Sequence, residues 1–120
     1  MRKVFEFKDG CIIYSNKGGL QRAPYDDIIS IECDKPYVKF HLKSSKSFEV
    51  EMSLVEVERN LNEEFVRVNR RVIVNMKNAR NIISEAKRYI IQMEKDLKYE
   101  ISVRLTSTVR AAYCLYVDDL

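Results

Sequence analysis

Residues 65–75 hold the side chains best suited to recognition chemistry in this sequence. Two β-rich runs, 65–68 and 72–75, are separated by a polar interruption made of Asn69, Arg70 and Arg71. A guanidinium group can form two parallel hydrogen bonds with guanine in the major groove or with a phosphate, and an asparagine amide can do so with adenine. The stretch therefore predicts a turn that binds nucleic acid, although an exposed turn without any ligand explains the same residues.

The residue sets on which most enzymes depend are missing. His41 is the only histidine, which argues against histidine-based metal sites and Ser-His-Asp arrangements, and we expect it to be an exposed strand residue. Gly18 and Gly19 do not link a strand to a helix, as a phosphate-binding loop would require. The carboxylates cluster in residues 48–65, where a solvated surface explains them. We therefore expect no enzyme activity, no metal and no cofactor.

Charge is distributed unevenly along the chain. Residues 48–65 carry six Glu against one Arg, a local charge of −5, whereas residues 66–110 carry eleven Lys or Arg against four Asp or Glu, a local charge of +7. The net charge of the whole chain is only +3. This asymmetry favours one basic surface that faces a polyanion, although charges on a solvated exterior would give the same counts.

Strands must position the polar interruption, because period-two alternation of apolar and polar residues dominates the chain. In residues 27–33 the alternation predicts a strand with Ile29 and Ile31 on one face, and a meander of strands follows residue 80. Ser53 and Glu56 form a capping box for one short helix that ends near residues 60–62. This helix is acidic and therefore suits DNA recognition poorly. Residues 106–120 have helical spacing, although a strand near their end is the alternative.

The chain has the features of a cytoplasmic protein. Its three cysteines, Cys11, Cys33 and Cys114, are odd in number and widely spaced, which is typical of thiols in a reducing compartment. No stretch approaches the roughly 18 apolar residues that cross a bilayer. The N-terminus lacks the apolar core of a signal peptide. We therefore expect no contact with a membrane.

Several motifs occur together in a recognisable order across roughly residues 25–105. They are residues 27–32, Tyr37-Val38-Lys39-Phe40, Ser53-Leu54 with its helix to Leu61, Phe65-x-Arg67-Val68-x-Arg70 leading into residues 72–75, and Ile101-Ser102-Val103-Arg104. In this order the sequence resembles the LytTR domain, the DNA-binding module of bacterial response regulators of the LytR/AlgR/AgrA type. The resemblance implies a mainly β fold: an elongated set of small antiparallel sheets with one short central helix, to which the helical spacing near the C-terminus adds a second.

The resemblance also implies that loops between strands, rather than an inserted helix, enter successive major grooves of double-stranded DNA. Carried over by position, the DNA-binding residues are Tyr37, Val38 and Lys39 beside Pro36 in the first loop, Asn69 and Arg70 in the second, and Arg104 in the third. Candidate phosphate contacts are Lys35, Arg67, Arg71, Lys77 and Arg80, of which Arg67, Lys77 and Arg80 add charge near the second loop. The family pattern often has His-Arg-Ser where this chain has Asn69-Arg70-Arg71, so the preferred DNA sequence does not transfer.

Residues 1–120 are expected to form a single domain that regulates transcription by binding specific duplex DNA. Because family members usually carry a receiver or a membrane segment before this domain, we expect either a stand-alone form or a piece of a longer protein. A receiver or sensor component on another chain and a second copy on repeated half-sites are the implied protein partners. The alternative is a LytTR-like adaptor or inhibitor that does not bind DNA, and a small-ligand-binding β domain is a weaker third.

Overall fold

Alternating apolar and polar residues build most of this chain into antiparallel strands, as the sequence predicts. The computed structural model describes residues 5–44 and 46–117, which form eleven strands in three small sheets and two α-helices. Its principal axes measure 48, 32 and 24 Å, so the molecule is elongated. The predicted fold class is therefore confirmed, including the short central helix and the C-terminal helix.

The first sheet is a three-stranded meander that covers one face of the central sheet. Its strands, in the order β1-β2-β3, are β1 (Phe5–Lys8), β2 (Cys11–Asn16) and β3 (Gly19–Pro24). Aromatic rings join this sheet to the next one. Tyr14 stacks on Phe48 with ring centroids 3.8 Å apart, and Phe5 lies 5.4 Å from Phe40. Such contacts bury large apolar areas, so this meander forms part of the main hydrophobic core.

The central sheet has five strands, and its middle strand is covered on both faces. In spatial order they are β6 (Phe48–Glu51), β5 (Tyr37–Leu42), β4 (Ile28–Asp34), β8 (Val72–Asn75) and β7 (Phe65–Asn69). Four consecutive residues of β4, from 28 to 31, are buried, because one face packs on the first sheet and the other on the third sheet. The molecule therefore has two core clusters that share β4.

A β-bulge changes the faces on which the isoleucines of β4 lie. The register with β5 shifts between Ile28 and Ser30. Ile28 and Ile31 consequently belong to one core cluster, and Ile29 belongs to the other. The prediction that Ile29 and Ile31 share a face is wrong, because one extra residue in a strand reverses the alternation that follows it.

The third sheet is the predicted meander that follows residue 80. Its strands, in the order β11-β10-β9, are β9 (Ala79–Glu85), β10 (Arg88–Met93) and β11 (Lys98–Ile101). Helix α2 (Thr106–Val117) packs beside it with Val109 fully buried, and the hydroxyl of Tyr113 donates to the carbonyl of Arg80 at 3.0 Å. The helical interpretation of this segment is confirmed, and residues 118–120 lie outside the described residues.

Helix α1 (Leu54–Asn60) begins and ends where the capping signals predict. The Ser53 hydroxyl accepts a hydrogen bond from the Glu56 amide at 3.1 Å, which satisfies an amide that the helix itself leaves unpaired. Leu54 and Val57 are buried against the first core cluster. The remaining side chains of this acidic helix point away from the core.

Two buried asparagines fix the start of β4 against the end of β8. The Asn75 side-chain amide donates to the carbonyls of Tyr25 at 3.0 Å and Ile28 at 3.1 Å. The Asn78 amide donates to the carbonyls of Asp26 at 3.0 Å and Ile28 at 2.8 Å. Because both amides are buried and donate to backbone carbonyls around the start of β4, they help to fix β4 against the end of β8.

A polar network connects the central sheet to the third sheet. The Tyr99 hydroxyl lies 2.6 Å from both the Ser30 hydroxyl and a Glu32 carboxylate oxygen, and the same oxygen lies 2.8 Å from Nε2 of His41. Burial, followed by the hydrogen bond to Glu32, raises the pKa of Tyr99 above its ordinary value. The His41 side chain is only 17% exposed, so the prediction that it is an exposed strand residue is wrong.

Candidate nucleic-acid interface

Strand register brings the first two predicted loops to the same end of the central sheet. β4 and β8 are antiparallel, with Glu32 opposite Val72, so the end of β4 lies beside the start of β8. The Cys33 amide then donates to the Arg71 carbonyl at 2.8 Å, just beyond the paired residues. The β4–β5 turn and the β7–β8 turn are therefore neighbours.

The third predicted loop joins them through two contacts with β7. The Ser102 amide donates to the Val68 carbonyl at 2.9 Å, and the Asn69 side chain donates to the Glu100 carbonyl at 2.7 Å. A shallow cleft of about 410 Å³ separates the second and third loops and is lined by Asn69, Arg70, Arg71, Glu100, Ser102 and Arg104. We call the side formed by residues 34–37, 69–72 and 102–105 the turn end. The far end is the opposite side, with residues 25–28 and 75–80.

Most of the predicted DNA-reading side chains reach solvent at the turn end. Tyr37 is 41% exposed, Arg70 and Arg104 are exposed, and Lys39 is half-buried. Within residues 5–44 and 46–117, neither the Arg70 nor the Arg104 guanidinium has a hydrogen bond or an ion pair. Both groups are therefore available to a ligand from outside the chain.

Val38 must be removed from the predicted set. Its side chain has no exposed surface and belongs to the first core cluster, because alternate residues of β5 point inward. Its neighbours Tyr37 and Lys39 keep the outward positions. The assignment of Val38 as a DNA contact is wrong, since a side chain with no exposed atoms does not reach a groove.

Asn69 shapes the β7–β8 turn with its side-chain amide. Its Oδ1 accepts from the Arg71 amide at 2.8 Å, which is an Asx turn, while its Nδ2 reaches β11 through the Glu100 carbonyl. A side-chain amide has two acceptor lone pairs and two N–H donors. One lone pair and one N–H of Asn69 therefore remain for a ligand.

Arg67 supports the same turn from behind. Its Nε donates to the Asn69 carbonyl at 3.0 Å and one terminal nitrogen donates to the Arg70 carbonyl at 2.7 Å. The other terminal nitrogen pairs with Glu58 on α1 at 3.1 Å. All three nitrogens thus have partners, and the side chain is only 23% exposed. Arg71, in contrast, is exposed and bridges the two turns by donating to the Cys33 carbonyl at 3.2 Å.

Comparison with known proteins connects this arrangement to a family. A model of the LytTR family, described as the LytTr DNA-binding domain, matches residues 19–113. The chain belongs to the LytTR family. The resemblance found in the sequence is therefore confirmed, and this LytTR domain is a DNA-binding domain of transcription regulation, from a family of DNA-binding domains rather than of enzymes.

A solved structure shares the fold of this LytTR domain. It is the LytTr DNA-binding domain of a methyl-accepting/DNA response regulator from Bacillus cereus, which has a TM-score of 0.74 and 18% sequence identity. The match covers 86% of this chain and 95% of that chain. No curated protein matches the chain. In the described part of this LytTR domain, neither helix has the length and apolar character needed to cross a membrane.

Two of the candidate phosphate contacts of this LytTR domain lie at the far end. Lys77 pairs with Glu64 at 3.0 Å and Asp26 at 3.6 Å, and the hydrogen bond with Glu64 raises the pKa of Lys77. Arg80 pairs with two carboxylates of residues 94–96 at 3.6 and 3.1 Å. The prediction that Lys77 and Arg80 add charge near the second loop is wrong. The four residues of β8 carry the chain about 10 Å away from that loop.

One turn at the turn end escaped the sequence analysis. β10 pairs Tyr89 with both Ser84 of β9 and Ile101 of β11, so the β9–β10 turn projects beside residues 102–105. Lys87 lies in this turn and Arg88 begins β10, and both are exposed. The order of the strands was the available signal. Successive strands of an antiparallel meander reverse direction, so when the third strand ends at the third loop, the turn between the first and second strands lies at that same end.

Proposed function

We propose that this LytTR domain reads specific duplex DNA from its turn end, with side chains from the three loops entering the major groove. The observation that carries this proposal is the pair of exposed guanidinium groups of Arg70 and Arg104. Both flank one cleft and have no partner among the described residues. Arginine at such a position suits bidentate contact with guanine, the commonest specific contact in DNA recognition.

The remaining loop residues take complementary roles. Asn69 offers its unused N–H and lone pair to an adenine edge, and Tyr37 and Lys39 supply the contact from the first loop. Lys35 and Arg71, which are exposed beside these groups, contact phosphates and set the position of the domain on the duplex. The strands hold these turns by backbone hydrogen bonds, so little conformational freedom is lost when DNA binds.

The domain acts by binding alone, without catalysis or a cofactor. A receiver or sensor component supplies the input signal, and two copies occupy repeated half-sites. If four to six phosphates are neutralised, the logarithm of the binding constant should fall with the logarithm of salt concentration with a slope of about −4 to −5. Binding by residues 1–120 as a single domain is part of the same proposal.

The test begins with selection of a preferred site from random duplexes. Fluorescence polarisation at about 50 and 200 mM salt then compares the wild-type domain with three variants. Arg70→Ala and Arg104→Ala should each cost about 1–3 kcal/mol on the selected site and relax discrimination at one base position. Arg80→Ala is the matched control, because it removes the same group from the far end, and it should bind as the wild type does.

Two results would contradict the proposal. Wild-type specific binding by both Arg70→Ala and Arg104→Ala would remove these residues from the site. No binding of wild-type protein at either salt concentration would favour instead the adaptor that pairs with another regulator.

A further inference from the structure

We infer that the β9–β10 turn is a fourth DNA-contacting element, in which Lys87 binds a backbone phosphate beside the third loop. This inference rests on the proposed function and extends it to a turn outside the three predicted loops. It assigns a contact with the sugar–phosphate backbone, and no base is read by this turn.

Placement is the first argument. Ser84, Tyr89 and Ile101 lie side by side across the third sheet, in one row of the ladder. Beyond Ile101 the chain enters the third loop, and beyond Ser84 and Tyr89 it forms the β9–β10 turn. Lys87 therefore lies at the same end of the molecule as Arg104, one strand away from β11.

The ionisable groups near the turn leave Lys87 without an opposite charge among the described residues. Glu85 lies opposite Arg88 in the ladder, and Glu100 pairs with Arg88 at 2.9 Å. Arg88 thus faces both neighbouring carboxylates. Lys87 is exposed and forms no ion pair with any residue that the structure describes. Arg110 of α2 lies over the Tyr89 ring, 5.7 Å from its centroid, and adds a second cation to this side.

Backbone geometry is the third argument. Ala86 and Lys87 adopt φ values of +51° and +68°, so the hairpin closes with two consecutive left-handed residues. Such a turn follows the twist of its strands and has a fixed direction. A lysine therefore occupies a position where glycine would adopt the backbone at lower cost. The ammonium group, a flexible point charge with three donors, suits a phosphate better than a base edge.

The far end of the molecule provides a matched control. Lys95 also adopts a left-handed conformation, with φ +59°, and lies in the connection between β10 and β11 at the opposite end of the third sheet. Lys87→Gly and Lys95→Gly therefore remove the same charge and the same unfavourable backbone geometry. Lys87→Gly should not lower the midpoint of thermal unfolding, because glycine adopts this region freely.

Binding of both variants to the selected duplex and to a random duplex is measured by polarisation between about 50 and 200 mM salt. Lys87→Gly should reduce the salt slope by about 0.9 and weaken both complexes about fivefold at 0.15 M salt, since one phosphate contact is lost. Lys95→Gly should stay within about twofold of the wild type, because its charge lies away from the duplex. Lys87→Arg should restore the slope.

The inference is overturned if Lys87→Gly binds as tightly as Lys95→Gly with the same salt slope while the wild type binds DNA. That result leaves the proposed function intact. Loss of affinity on the selected duplex alone would assign base contact to Lys87 and overturn the phosphate assignment. If the wild-type domain binds no duplex, the proposed function fails together with this inference.

Discussion

Arg67 gives the sharpest test of how the turn end is built. Sequence reasoning assigns it to a phosphate, whereas its nitrogens bond to the carbonyls of Asn69 and Arg70 and to the carboxylate of Glu58. Arg67→Met removes these bonds and keeps an unbranched apolar side chain that extends as far as the position of Nε. We expect the β7–β8 turn to lose its support, so that Arg70 no longer holds the direction needed to read a base.

The size of the effect on stability follows from the bonds that are lost. A hydrogen bond to a charged group contributes about 1.5–3 kcal/mol when buried, and partial exposure reduces this to about 1 kcal/mol for each of the two carbonyl contacts. The ion pair with Glu58 is 45% exposed on the glutamate side and adds little. The free energy of unfolding should fall by about 2 kcal/mol. With an unfolding entropy of about 2.1 cal/mol/K per residue, the melting temperature should fall by about 8 °C.

Three variants separate support of the turn from phosphate contact. If Arg67 supports the turn, Arg67→Met and Arg67→Lys should both bind the selected duplex about tenfold more weakly than the wild type. Lysine does not substitute for arginine here, because it lacks the guanidinium fork. The salt slope of Arg67→Lys should stay at the wild-type value. Glu58→Gln is the control for the ion pair alone and should change the free energy of unfolding by less than about 0.5 kcal/mol.

The opposite pattern would refute this reasoning. A phosphate contact predicts that Arg67→Lys binds as the wild type does, and that Arg67→Met lowers the salt slope by about 0.9 on selected and random duplexes alike. If Arg67→Met has the same melting temperature as the wild type, the turn does not depend on these bonds. Thermal unfolding and polarisation on the same samples decide between the two roles.

Three further variants test the buried residues and the second loop. Tyr99→Phe should lower unfolding free energy by about 1–3 kcal/mol in urea titrations, because Ser30 and Glu32 lose a buried partner. Burial raises the pKa of Tyr99, so the unfolded state ionises first above about pH 10 and wild-type stability should fall there more steeply than that of Tyr99→Phe. Val38→Ala should lower the free energy of unfolding, measured by urea titration, by about 2 kcal/mol without changing the DNA affinity of the folded protein. Asn69→Asp should weaken selected-duplex binding in polarisation assays at least tenfold, since a donor becomes a negative charge.

Local signals explain what the sequence predicted well. The start of α1 depends on Ser53 and Glu56, which are three residues apart, so the capping box identifies it. Strand alternation likewise acts over neighbouring residues and correctly placed the meander after residue 80. The bulge between Ile28 and Ser30 has no such signal, because it arises where β4 meets β5 and only one of the two strands contains the extra residue.

Locating the candidate site requires the direction in which each strand runs, as well as the residue types. Lys77 and Arg80 are close to Arg70 in the chain, yet β8 takes them to the far end, where carboxylates pair with them. Lys87 is farther from Arg70 in sequence and returns to the turn end because β9 runs back. In a fold of short antiparallel strands, distance along the chain is therefore a poor guide to where a residue lies. The number of strands between two residues predicts whether they lie at the same end of the sheet.

The pairing of cations describes this surface better than net charge does. The charge of a lysine or arginine that already faces a carboxylate is partly neutralised nearby, so it attracts a phosphate less strongly than an unpaired cation does. Lys77 and Arg80 are in this state at the far end, whereas Arg70, Arg104 and Lys87 have no such partner in residues 5–44 and 46–117. A chain whose net charge is only +3 can thus present unpaired cations to a polyanion at its turn end.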